Sequence, residues 1–156
     1  MCIRDSFLDQ HKVEYEAHTY EHKDGDPVDG VHVANMLHQP VEAVYKTLVT
    51  QANTKEYLVY MLPVEKELDL KKCAKIAGVK SCEMIHVKDI NKITGYIRGG
   101  CSPLGMKRQF RTFIEMDCLN QDKIYFSAGK IGMQIEMDPK TLMDLIHVQA
   151  GDITKE

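Results

Sequence analysis

The stretch Tyr57-Leu58-Val59-Tyr60-Met61-Leu62 sets the first constraint on the fold, because it is almost continuously apolar and offers no polar face at a two-residue period. Its length is that of a strand, far short of the ~20 residues that cross a bilayer. A strand without a polar face is covered on both sides. The chain must therefore supply packing layers above and below a sheet.

The remaining pattern shows where those layers come from. Residues 14–20, 44–50, 96–98, 110–116 and 123–127 are expected as strands, with 51–56 as a hairpin loop. Ile131, Met133, Ile135 and Met137 alternate with Gly132, Gln134 and Glu136, the pattern of a half-buried strand. A turn at residues 23–27 leads to a helix capped by Asp26, with Pro27 at its first position, ending near Leu37 before Gln39-Pro40. Leu70, Cys73, Ala74 and Ala77 have helical spacing, and Gly78 stands where a C-terminal cap belongs. A short helix is expected over 86–93, and another after Asp138-Pro139 with Leu142, Leu145 and Ile146 inward. Strands joined by hairpins and scattered helices do not make a regular βαβ alternation. The expected class is α+β, one domain over 1–156, with a curved mixed, largely antiparallel sheet that is barrel-like.

Composition narrows the function classes. A 44% hydrophobic and 28% charged content suits a globular domain that builds its core without metal or disulfide help. The net charge of −3 argues against coating nucleic acid by bulk electrostatics, while leaving a local basic patch possible. Cys2, Cys73, Cys82, Cys101 and Cys118 are odd in number and never paired as C-x-x-C, so neither a disulfide framework nor zinc is indicated. Reduced thiols, no spanning segment and no signal-peptide layout imply a cytoplasmic protein. No cofactor is called for. Residues 1–6 match nothing downstream and are given no functional meaning.

Three segments could carry chemistry. In Val44-Tyr45-Lys46-Thr47-Leu48, the period of two places Lys46 between Val44 and Leu48 on one face. Such a lysine either lines a polar cavity or snorkels to solvent. Residues 94–108 hold four glycines and a proline; Gly99 and Gly100 would let a main chain approach a ligand and aim N–H groups at an oxygen. Met106 stands where a P-loop needs lysine, and a structural double turn serves the same composition. Residues 125–132 form a hairpin with Ser127 and Gly129 at its bend. His18 and His22 lie four apart, but in an extended segment with no third ligand nearby, which makes a poor zinc site. No G-x-S-x-G elbow occurs, and Cys101 lacks an evident histidine partner.

Taken together, His18-Thr19-Tyr20-Glu21-His22, Val44-Tyr45-Lys46-Thr47-Leu48, Leu68-Asp69-Leu70-Lys71-Lys72, residues 94–107 and Ser127-Ala128-Gly129-Lys130-Ile131-Gly132 resemble the YbaK/EbsC family of Cys-tRNA(Pro) deacylases. That family is related to the editing domain of many prolyl-tRNA synthetases. The resemblance implies a nearly closed mixed sheet and removal of a misattached amino acid from the 3′ end of tRNA, with prolyl-tRNA synthetase as a further partner. It implies that Lys46 holds the terminal adenosine or a nearby phosphate, and that Gly99 and Gly100 line the amino-acid pocket. Tyr20, Thr47, Ser102 and Ser127 would bind substrate around it. Arg98, Lys107, Arg108 and Arg111 would form a basic surface toward the acceptor stem. In this family the cysteinyl thiol is thought to attack its own ester, leaving as a thiolactone. Asp26-Pro27-Val28-Asp29 stands where relatives often carry an aromatic, so hydrolysis of Ala-tRNA(Pro), or of a tRNA bearing another small mischarged amino acid, stays open. So does a non-catalytic module that binds tRNA or a synthetase.

Overall fold

The computed structural model describes residues 14–21, 30–97 and 100–155. The expected turn at 23–27 with its Asp26 cap, and His22, Arg98 and Gly99, lie outside the described residues.

The fully apolar strand is the centre of the larger sheet. Strand β3 (Tyr57–Pro63) has Leu58 to Leu62 wholly buried. It pairs antiparallel with β2 (Tyr45–Ala52) and parallel with β5 (Arg111–Glu115). With β4 (Cys82–Met84) and β8 (Gln149–Gly151) at the edges, the order is β4-β2-β3-β5-β8. A second sheet has the order β1-β7-β6, from β1 (Glu16–Thr19), β6 (Ile124–Lys130) and β7 (Met133–Met137).

Each face of β3 has its own core. On one, Leu58, Tyr60, Leu62 and Phe113 pack with Cys73, Ala74 and Ala77 of a helix over Leu70–Ala77. Tyr60 stacks on Phe113 at 5.2 Å and donates to the Cys73 carbonyl at 2.9 Å, so this large side chain is buried with its hydroxyl satisfied. On the other face, Tyr45, Met61 and Ile114 pack with Phe126, Ile135 and Met137 of the small sheet and with Leu142 and Ile146 of the helix Pro139–Ile146.

Four helices are described: α1 (Gly30–Met36), α2 (Leu70–Ala77), α3 (Ile90–Thr94) and α4 (Pro139–Ile146). The ends expected at Gly78 and Asp138 hold, and Asp69 adds an N-cap to α2. Asp69 accepts from the Lys71 and Lys72 N–H groups, Gly78 closes α2 at φ 71°, and Asp138 accepts from the Lys140 N–H.

The α+β class and the mixed sheet are as expected, yet the sheet does not close into a barrel. One parallel bridge, Val44 to Tyr125, joins the two sheets. Strands β4 and β8 were not foreseen; at three residues each they are too short to show a period. Tyr96 and Ile97 are not in a strand, and the helix expected from residue 86 starts as a 3-10 turn at Val87–Asp89 before α3. The first hairpin is tighter than expected, since β2 runs on to Ala52. In the second, β6 continues to Lys130 and its register shifts between Ser127 and Lys130, so Ser127 and Gly129 sit at a bulge rather than the bend. Among the described residues, no helix is long and apolar enough to cross a membrane.

Candidate active site at the open edge of strand β2

The ladder between β2 and β3 determines which main-chain groups of β2 are left over. The Val64 N–H donates to the Val44 carbonyl at 2.8 Å, and the Ala52 N–H to the Glu56 carbonyl at 2.8 Å. Even-numbered residues of β2 therefore exchange bonds with β3, and the peptide groups of 45, 47 and 49 face the other edge. There, β4 covers only Thr50 to Ala52, the Ile85 N–H reaches the Val49 carbonyl at 3.3 Å, and β6 is bridged to the chain at Val44. Among the described residues, no strand is paired with Thr47 on that side.

A cleft of about 340 Å³ opens at this gap, within the usual range for small-ligand sites. Lys46, Thr47, Tyr20 and Ser127 all line it, so four residues singled out in the sequence converge. Val44, Leu48 and Phe126 give it apolar wall. Lys46 is half-buried, on the face shared with Val44 and Leu48. Tyr20 follows β1 and is held by its N–H, which donates to the Gly132 carbonyl at 2.9 Å. The Ser127 Oγ accepts from the Gly129 N–H at 3.1 Å across the bulge, leaving its own proton to donate. Thr47 is 8% exposed, and its buried Oγ1 has no partner among the described residues.

Cys101 also lines the cleft, and burial pushes its thiol up to about 12, with a Thr94 hydrogen bond opposing weakly. A thiol so shifted is protonated at neutral pH and is no nucleophile.

Two expected site residues have other work. The Gly100 N–H donates to the Ile97 carbonyl at 3.0 Å, so the amide that an oxyanion site would use is engaged in a turn. A Cβ at Gly100 would stand 3.2 Å from the Lys130 Cα and 3.4 Å from the Ile131 nitrogen. Glycine is needed here for close approach, not for a left-handed backbone. Ser102 is wholly buried outside the cleft wall, where its Oγ accepts from the Leu104 N–H at 3.3 Å. The basic surface also loses a member. Arg111 spends Nε and Nη2 on the Glu56 carboxylate at 2.8 and 2.9 Å and Nη1 on the Ala77 carbonyl at 3.0 Å, which holds Glu56 below the usual carboxylate range.

Gln134 was missed. The alternating pattern set it opposite Ile135 and Met137, hence toward solvent, yet it is 3% exposed and lines the cleft. The pattern gave the face correctly. What it could not show is that the turn after α1 covers that face: the Gln39 Nε2 donates to the Gln134 Oε1 at 2.7 Å, across 95 residues. For metal binding, Glu16, His18 and Glu136 bring ligand-type atoms within 4.8 Å of one another, with the His18 Nε2 and the Glu136 Oε1 already hydrogen-bonded at 2.8 Å.

The described wall thus carries an ammonium group, hydroxyls and an amide, but no carboxylate and no imidazole. It can bind and polarise an activated acyl group without supplying a base. The chain belongs to the aminoacyl-tRNA editing domain family, whose model matches residues 28–145. It is 43% identical, over 94% of its length and 89% of the relative's, to an Enterococcus faecalis (strain ATCC 700802 / V583) protein, EbsC, named for Cys-tRNA(Pro)/Cys-tRNA(Cys) deacylation. Its fold is shared with a hypothetical protein, APE2540, at TM-score 0.86 and 17% identity over 97% of this chain and 98% of that one. It is also shared with a protein described as a trans-editing enzyme for prolyl-tRNA synthetase, at TM-score 0.83 and 18% identity over 98% and 96%.

Proposed function

We propose that this protein is a trans-acting aminoacyl-tRNA deacylase that clears cysteine from mischarged tRNA(Pro) in the cytoplasm, alongside prolyl-tRNA synthetase. The observation that carries the mechanism is a cleft wall with hydrogen-bond donors and no described base. The relative named for the same reaction, at 43% identity, supports the substrate class.

An aminoacyl ester is already activated, and a cysteinyl ester brings its own nucleophile. A free thiol is a few per cent thiolate at neutral pH and strongly nucleophilic even so. Its sulfur attacks the ester carbonyl carbon, the S–C bond forms as the C–O bond to the ribose breaks, and the thiol proton ends on the ribose hydroxyl. Cysteine leaves as a thiolactone that water then opens. The protein contributes placement and polarisation. Lys46 holds the terminal adenosine or its phosphate at the mouth, while Tyr20, Thr47 and Ser127 frame the aminoacyl group. Gly100 lets the loop lie against the end of β6 and form the lip beside Cys101.

The test is deacylation of a panel of mischarged tRNAs. Release from Cys-tRNA(Pro), with thiolactone as first product, is expected. Water-borne release of alanine from Ala-tRNA(Pro) at a greater rate would move the assignment to a hydrolytic editor. Binding of tRNA with no release from any ester would make the protein a non-catalytic module.

A further inference from the structure

We infer that Gln134, pinned by Gln39, is the fixed donor that polarises the ester carbonyl of the bound aminoacyl group; this rests on the deacylase reading above. Gln134 lies on β7 directly across from Ser127 on β6 and from His18 on β1, so its side chain shares the face that carries Ser127 into the cleft. A neutral amide almost fully removed from water is retained only where its polar atoms are used.

Half of that use is visible. The Gln134 oxygen accepts from Gln39, which leaves the two N–H bonds of the Gln134 amide as its polar end toward the cleft the residue lines. The Gln39 oxygen is itself buried without a partner among the described residues. A carbonyl is less costly to leave unmet than an amide N–H, which favours this sense of the pair over the flipped one. The pair thus spends one acceptor's satisfaction to hold one donor in place.

The cleft has need of such a donor. The Gly100 N–H, which an amide hole would use, is taken by Ile97. Thr47 and Ser127 carry hydroxyls that turn freely about their C–O bonds. Gln134 combines near-complete burial with an orienting partner, and a donor held before reaction needs no reorganisation as charge grows on the carbonyl oxygen. Gln39 never enters the cleft wall and acts only as a positioning residue.

The test uses the intact protein and Cys-tRNA(Pro), with the wild type first. Wild-type protein that releases nothing removes the deacylase reading itself. Given wild-type turnover, Gln134→Leu and Gln134→Glu are expected to lower kcat about 100-fold with KM within about threefold, the scale of a lost oxyanion donor. Circular dichroism scores the folded fraction, and rates are expressed per folded molecule. Gln39→Met leaves the cleft wall intact and frees the Gln134 amide to turn; a fall in kcat of about 10-fold, smaller than that of a deleted donor, is expected. Folded Gln134 variants with wild-type kcat would overturn the inference. Should neither fold, an unchanged kcat in Gln39→Met overturns it instead.

Discussion

Lys46 and Thr47 are consecutive residues on opposite faces of β2, opposed on β3 by Leu62 and Met61, and both line one cleft. Alternate faces of a strand normally serve separate layers. Here the edge is uncovered, so a cleft wrapped around it is reached from both faces. One short segment thereby supplies a half-buried lysine and a buried hydroxyl to the same space.

The cation comes first. Replacing Lys46 by Ala should lower Cys-tRNA(Pro) turnover about 100-fold or more, the scale for loss of one positioned electrostatic group. The side chain is half-buried, so thermal unfolding should shift little. Turnover near the wild-type rate would remove Lys46 from the reaction.

Thr47 predicts a split between stability and activity. Its buried hydroxyl lacks a partner, so Thr47→Val should stabilise the fold by about 1 kcal/mol as an unmet polar atom is lost. Deacylation should fall about tenfold if that hydroxyl meets substrate, a trade of stability for function. Urea denaturation and initial rates on one preparation read both. Loss of stability with full activity would make the hydroxyl a structural feature.

What the sequence revealed, and what it hid, follows the range of each signal. The burial of Tyr60, the helix start at Asp138 and the role of Gly78 were legible because their causes lie within a few residues. Val44 and Leu48 put Lys46 on an apolar face but left open whether it lines a cavity or reaches solvent, and only the tertiary structure sets it on the cleft wall. Gln134 was not, because its burial depends on Gln39, which is far away in the chain and adjacent only in space. Gly100 misled differently. Adjacent glycines suggested free amides, but the same composition serves close packing against Lys130, and only tertiary contact separates the two. The barrel stayed open because closure depends on pairing between β2 and β6, and no local pattern encodes that pairing.

Cys101 should prove inert despite its place in the cleft. With its thiol pushed up to about 12 by burial, alkylation by iodoacetamide at neutral pH should be far slower than for a free thiol. Cys101→Ala should keep turnover within about threefold, because the attacking sulfur belongs to the substrate. A loss of 100-fold or more would point to an enzyme thiol in the reaction.

Glu115 predicts a pH dependence of stability remote from the cleft. Its side chain is 3% exposed and accepts from the Ile153 N–H at 3.0 Å; burial raises its pKa despite that bond, with Asp117 and Asp152 adding to the rise. A raised carboxyl pKa means the folded state holds more protons than the unfolded one. The contribution of Glu115 to stability is therefore greatest below the unfolded value of about 4.3, falls as pH climbs toward the raised folded value, and is level above it. Glu115→Gln keeps an oxygen for Ile153 but carries no charge, so it should flatten that fall and raise stability at neutral pH. Urea midpoints measured from pH 4 to 8 test this, and an unaltered slope in the variant would place the titration elsewhere.

Gly100 tests whether the lip of the cleft depends on packing or on a free amide. An added methyl would meet the Lys130 and Ile131 backbone at 3.2 to 3.4 Å, tighter than a side chain normally sits, and a strand backbone gives way less readily than a flexible side chain. Gly100→Ala should therefore push the loop off β6, destabilise by about 1–2 kcal/mol and lower turnover. The Gly100 N–H already serves Ile97, so the rate loss should follow the loop's displacement and not the loss of a donor. Shortening residue 130 cannot relieve the clash, because the opposing atoms are main chain. A combined Gly100→Ala, Lys130→Gly protein should remain impaired, and recovery of activity in it would show that the obstacle is the Lys130 side chain.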